Sequence, residues 1–187
     1  MNDIPKLTAL VVYESMFGNT SAVAEAVAEG LRLEGLEVTL THVHDAPRAD
    51  DCDCDLLVVG APTHAFSLSR PSTREDAVRQ GAPAEAATGT GLREWIASMK
   101  ETSGAPRVAA TFDTRVTKVR RIPKAASTRA ARLLSRNGFR LVSRPAGFLV
   151  TDTSGPLEEG ELERATAWGR SVGAATRDRM LSSATGG

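Results

Sequence analysis

The chain has 187 residues, with 23 Lys and Arg against 23 Asp and Glu, so its formal charge is zero, and only 4% of its residues are aromatic. That length predicts one domain, residues 1–181 with a loose polar tail at 182–187, large enough to bury roughly 70% of its unfolded surface. The charge balance steers the protein toward neither nucleic acid nor an anionic membrane, no uncharged apolar stretch is long enough to span a bilayer, and no basic-then-apolar amino terminus marks a secretory signal. Cys52 and Cys54, one residue apart, are too close for a useful disulfide and suit a reducing compartment, so a cytoplasmic location is expected.

Leu7 to Tyr13 is apolar except for Thr8, the pattern of a strand covered on both faces of a parallel sheet. Val23, Val27 and Leu31 then recur every four residues among Ala22, Ala24, Ala26 and Ala28, with Glu25, Glu29 and Arg32 outward, which predicts a helix. Between them, Ser15-Met16-Phe17-Gly18-Asn19-Thr20 must turn the chain and cap that helix. Asn19 or Thr20 is placed to accept the first unpaired amides, and Gly18 tolerates a positive φ or close approach by a ligand. Unpaired amides beside short hydroxyls form a site for an anion, a phosphate above all; a plain well-capped turn is the alternative. The turn has neither the Walker lysine nor the triple-glycine dinucleotide pattern, which disfavours a P-loop nucleotidase and a Rossmann dehydrogenase.

These six residues resemble the flavin mononucleotide (FMN) phosphate loop of the flavodoxin family. A similar Ser-Met-aromatic-Gly loop occurs in the related NAD(P)H:quinone oxidoreductases of the tryptophan-repressor-binding-protein type. The resemblance implies an FMN cofactor whose phosphate is held by Ser15, Asn19, Thr20 and the amides of Met16, Phe17 and Gly18. The zero net charge departs from the acidic character of carrier flavodoxins.

After a cap at Gly35, residues Glu37 to His44 alternate as in an edge strand, and Ala46 to Asp55 is an acidic, turn-rich loop. His42, His44, Cys52 and Cys54 have spacings too short for a usual zinc site, so a solvated loop without metal is the reading. Asp55 to Ala61 is the second buried strand. Pro62-Thr63-His64-Ala65-Phe66 follows at its carboxyl end, where open parallel sheets bind ligands. In the resembled family this is the second flavin loop. The resemblance places Phe66 near the ring, or as a plug of the loop, with Pro62 and Thr63 offering backbone groups. His64, titrating near neutrality, is suited to donate to a flavin carbonyl or to shuttle a proton; an ordinary loop histidine is the alternative.

Ser72-Thr73-Arg74-Glu75 has capping-box spacing and predicts a short helix to about Gln80. The whole stretch Ser67 to Thr90 is long for such a connection and reads as a substrate-gating loop or a disordered insertion. Leu92, Trp95, Ile96 and Met99 form one helical face. Arg107 to Asp113 is the next strand, and Phe112, Asp113, Thr114 and Arg115 at its end fall where the family's third flavin loop lies. That loop usually carries an aromatic over the ring. Here none occurs between Thr114 and Phe139, and Arg115, Lys118, Arg120 and Arg121 stand instead. Cations at the ring's carbonyl edge favour the reduced anion, so a reduction potential above that of a low-potential carrier is expected. The cluster also reads as a solvated face, or as a site for an acidic partner or a phosphorylated ligand.

Lys124 to Gly138 reads as a helix, Phe139 to Val150 as a strand broken at Pro145, and Glu161 to Leu181 as the last helix. The order of elements predicts an α/β, flavodoxin-like doubly wound parallel five-stranded sheet of order 2-1-3-4-5 in a single domain. Three functions follow. An FMN electron carrier would dock a redox partner protein. A quinone reductase would take hydride from NADH or NADPH, with His64 or Arg115 assisting catalysis on a quinone-like substrate. A flavin-free interaction module would keep only the fold.

Overall fold

The apolar run after Leu7 becomes β1 (Thr8–Tyr13), and its carboxyl end feeds the turn into α1 (Asn19–Leu33). The computed structural model describes residues 6–63, 67–100, 107–119 and 125–185. β2 (Glu37–His42) lies beside β1 on one side and β3 (Leu56–Pro62) on the other, both parallel to it. No α-helix joins β2 to β3, only a 3-10 turn at Ala49–Asp51. α2 (Pro71–Arg79) and α3 (Leu92–Ala97) precede β4 (Val108–Val116). α4 (Ala126–Arg136), β5 (Arg140–Leu141), β6 (Ala146–Val150) and α5 (Glu161–Thr185) complete the chain.

The sheet order is β2-β1-β3-β4-β5, with β6 also on β4, so the expected 2-1-3-4-5 order is present with its fifth strand in two pieces. β5 pairs with Val108 and Ala109, and β6 pairs with Phe112 to Val116. Pro145 sits in the gap, where a missing amide costs no ladder bond. This second pairing extends β4 to Val116, three residues past the expected end, and carries Thr114 and Arg115 in a regular strand.

Both faces of the sheet are covered, which is why the central strands β1 and β3 are almost wholly apolar. On one face Ala9, Val11, Val58 and Phe112 pack against Val23, Val27 and Leu31 of α1 and Ala165 and Val172 of α5. On the other, Leu10, Val12, Leu57 and Val59 meet Leu92, Trp95 and Ile96 of α3 and Ala126, Ala130 and Leu134 of α4. α5 continues to Thr185, past the expected end at Leu181, so Ser182 to Thr185 are helical. Among the described residues no helix is long and apolar enough to cross a membrane.

α2 begins at Pro71, one residue before the predicted capping box: Thr73 accepts the Arg70 amide (2.8 Å) from inside the helix. The segment from Ser67 to Thr90 is also more ordered than a gating loop requires. It holds α2 and a 3-10 turn at Ala84–Ala87, and Ala77 and Ala82 pack on Met16.

Candidate functional site

The turn after β1 is fixed from beneath by buried polar groups. Glu14, 3% exposed, accepts hydrogen bonds from the Ser69 hydroxyl and from the Leu92 amide (2.9 Å). Arg74, also buried, donates to the Ser69 hydroxyl (3.2 Å) and to Glu94 (3.3 Å). Two charges of opposite sign thus share one buried network, the condition under which buried ionic groups persist. Its effect is to hold the residue before Ser15, and with Met16 the turn itself, against the Ser67 to Leu92 segment.

The capping of α1 differs from the sequence expectation. Gly18, at φ +85°, is the residue preceding the helix, and no side chain bonds as its cap. The first intrahelical bond runs from the Ala22 amide to the Gly18 carbonyl (3.0 Å). The Ser21 amide donates to the Ser15 hydroxyl (3.3 Å), so Ser15 does the work expected of Asn19 or Thr20. Those two are engaged elsewhere. The Thr20 hydroxyl, 2% exposed, meets that of Thr114 at 2.8 Å, and the Asn19 amide group donates to the Ser154 carbonyl (3.1 Å). Among the described residues the Asn19 and Thr20 amides, the first of the helix, have no hydrogen-bond partner, and both residues line a hollow.

That hollow is lined by Met16, Phe17, Asn19, Thr20, Pro62, Thr63, Thr114, Arg115, Val116, Val150 and Thr153. It brings together the ends of β1, β3 and β4, the crevice where a doubly wound sheet binds its ligand. Among the described residues its lining carries four threonine hydroxyls, one amide side chain and one guanidinium, and no carboxylate. Arg115 lies flat against Gly147, where any Cβ would collide with the guanidinium. Asp113 accepts from Arg115 through both nitrogens at 2.6 Å, and also from the amide (3.1 Å) and hydroxyl of Ser127.

Several expected contacts lie elsewhere. Phe112 is 1% exposed and points into the core, in an edge-to-face trio with Phe148 and Trp168. Strand alternation decides this: Thr114 and Phe112 share one face, Asp113 and Arg115 the other, and Phe112 lies a full pleat below the strand end. Asp113 is fully buried and holds Arg115 and Ser127 rather than lining the hollow. His64, Ala65 and Phe66, like Arg120 and Arg121, lie outside the described residues; Lys118 is exposed.

Val116, Val150 and Thr153 were not in the sequence reading. The turn Thr151 to Pro156 reaches the site because β6 runs beside the end of β4, and it is fixed by the Thr151 amide on the Pro156 carbonyl (2.9 Å) and by Asn19. Glu161 supports it by accepting the Leu149 amide (2.6 Å), and Glu158 by accepting the Thr117 hydroxyl (2.6 Å).

The tentative grouping of two histidines and two cysteines is dispersed. His42 meets Tyr13 edge-on at the carboxyl end of the strands, and His44 meets His42 edge-on with ring centroids 4.6 Å apart. Cys52 and Cys54 line a groove with Thr8 and Ala9 at the other end, about 13 Å away along β1. Both thiols are pushed up by burial, Cys54 to about 11.

Residues 11–78 match the flavodoxin family model. The flavodoxin of Aquifex aeolicus is 52% identical over 61 residues, a match spanning 32% of this chain and 33% of the length of that protein. The fold is flavodoxin-like. It is that of a flavodoxin from the domain Archaea, matched at TM-score 0.62 and 18% identity over 91% of this chain and 99% of the other. A flavodoxin, WrbA-like protein from Agrobacterium tumefaciens matches at TM-score 0.55 and 17% identity over 92% and 99%. Flavodoxin family members bind FMN. The residues of this flavodoxin-like chain fit that cofactor's phosphate: the site offers helix-opening amides, neutral hydroxyls and one cation, and presents no negative side chain to a dianion.

Proposed function

We propose that this protein binds FMN and works in electron transfer. The observation that carries the reading is the hollow at the start of α1, which presents no carboxylate among the described residues and beside which the Asn19 and Thr20 amides have no side-chain cap. In this reading the amides of Asn19 and Thr20, the hydroxyls of Thr20 and Thr114 and the Asn19 side chain hold the phosphate. Pro62, Thr63 and Arg115 bound the space beyond it. Bound flavin supplies the electron exchange, and the protein supplies orientation and electrostatics. The carrier form, meeting a redox partner protein in the cytoplasm, is favoured over catalysis because Arg115 is held by two short bonds to Asp113 and is a poor proton donor. NAD(P)H-dependent quinone reduction is the alternative that the Ser-Met-aromatic-Gly loop supports.

Fluorescence titration of the flavin-stripped protein with FMN and with riboflavin tests the reading. Riboflavin lacks the phosphate and should bind at least about 100-fold more weakly, the loss of two charge-assisted hydrogen bonds. A protein that ignores both ligands would sink it. Steady-state assay with NADH or NADPH and a quinone then separates the two forms, since a carrier alone should show no appreciable turnover.

A further inference from the structure

The zero net charge conceals a separation of charge that follows the sheet. From Thr114 to Thr151 the chain has ten Lys and Arg and no Asp or Glu. Those residues include the end of β4 and all of α4, β5 and β6, one edge of the molecule. From Glu37 to Asp55 it has six acidic residues and one base, Arg48. That stretch is β2 and its connection to β3, the opposite edge. Four strand spacings, about 19 Å, part the two edges.

On the basic edge Lys118, Arg132, Arg136, Arg140 and Arg144 are exposed and Arg129 half-buried. Among the described residues none of the six has an ion-pair partner. The patch begins at the candidate site: the Ala126 amide donates to the Thr63 hydroxyl (3.0 Å), and Arg129, Arg132 and Arg136 follow down the outer face of α4. Arg93 extends it. Held by the Ser67 hydroxyl and by the carbonyls of Leu68 and Ser69, it lies within electrostatic reach of Arg70 and Arg129, and more weakly of Glu94 and Glu14.

Fold stability does not account for this arrangement. Arg129 and Arg132 are three residues apart and Arg132 and Arg136 four, spacings at which like charges repel and weaken a helix by a few tenths of a kcal/mol per pair. α4 also opens with no acidic residue to favour its positive end. We propose that the α4 and β5 edge is a docking surface for a partner protein with an acidic face. The opposed charges of the two edges would turn such a partner toward the candidate site before contact. A nucleic acid fits less well, because among the described residues the patch has no exposed aromatic to stack on a base and the far edge would repel a long polyanion. That the partner is a redox protein rests on the electron-transfer reading; the attraction of an acidic surface does not.

Binding of poly-L-glutamate, standing for an acidic protein face, to the flavin-stripped protein tests this without requiring FMN. We expect binding at low ionic strength that is lost at about 0.5 M salt, where the screening length falls below 5 Å. The triple variant R129Q/R132Q/R136Q should bind roughly tenfold more weakly, three surface charges being removed. Variant D50N/D51N/D53N should bind at least as tightly as the parent, which shows that a folded protein with altered charge keeps the surface. No binding at low salt, or equal binding by the arginine variant, overturns the proposal. So does tighter binding to a DNA duplex than to polyglutamate, or salt-sensitive self-association that leaves polyglutamate unbound, which would make the occupant a second copy of this chain.

Discussion

Asn19 and Thr20 at the start of α1 each have a partner supplied by a distant part of the chain. The Thr20 hydroxyl reaches Thr114 on β4, so Thr20→Ala removes a phosphate donor and leaves a buried hydroxyl without its partner. FMN affinity should fall by about 1–3 kcal/mol and apoprotein stability by about 1 kcal/mol, measured by titration and by denaturant unfolding. Unchanged FMN affinity would exclude Thr20 from the phosphate site. His42 makes a second prediction. Burial, helped by the neighbouring His44, holds its pKa below the usual 6.5 against the opposing pull of Glu14 and Asp45. The unfolded chain then takes up a proton first as pH falls. Stability from neutral His42 is fully present above the unfolded value and is lost as pH drops through the folded one. Thermal midpoints measured from pH 8 to 5 should fall more steeply for the parent than for His42→Gln; parallel curves would assign the acid sensitivity elsewhere.

At the scale of elements, α1 and α5 meet backbone to backbone. A Cβ on Gly30 would fall on the Thr166 carbonyl, and one on Gly169 on the Val27 carbonyl. Alanine in a helix is favoured over glycine by up to about 1 kcal/mol, but these obstacles are main chain and cannot swing aside as a side chain would. Overpacking of this kind costs about 1–3 kcal/mol, so Gly30→Ala should lower stability on balance. A denaturant midpoint equal to or above the parent's would show that the helices separate without loss. The α2 to α3 segment follows similar reasoning. Read alone it is a long polar connection, yet Arg74, Ser69 and the Leu92 amide tie it to Glu14, and it becomes the support of the turn after β1.

For the molecule as a whole, the cysteines lie at the opposite end of the sheet from the candidate site and report on global opening. Cys52 is 7% exposed, and burial raises its thiol pKa, so alkylation at pH 8 should be slow in a Cys54→Ser background. FMN at 100 times its Kd adds about 2.7 kcal/mol to the folded state and should slow Cys52 labelling roughly 100-fold despite the distance. If labelling is unaffected by FMN, either Cys52 is exposed by local motion or the flavin does not bind the native state. The charge separation across the sheet belongs to this scale too, since net charge alone reads as neutrality.

By itself the sequence determined what depends on neighbours along the chain. The unbroken apolar run of β1 required burial on both faces, the four-residue period of Val23, Val27 and Leu31 required α1, Pro145 required a break, and the hexapeptide from Ser15 to Thr20 marked the turn that now borders the hollow. Tertiary structure alone decided what depends on register between strands distant in sequence. The pairing of β4 with β6 brought Val150 and Thr153 to the hollow, and the pleat sent Phe112 into the core while Arg115 stayed at the rim. It also set Asp113 against Arg115 and gave Thr20 to Thr114. Local periodicity names a face of an element, but which partner that face meets is fixed only when strands tens of residues apart lie side by side.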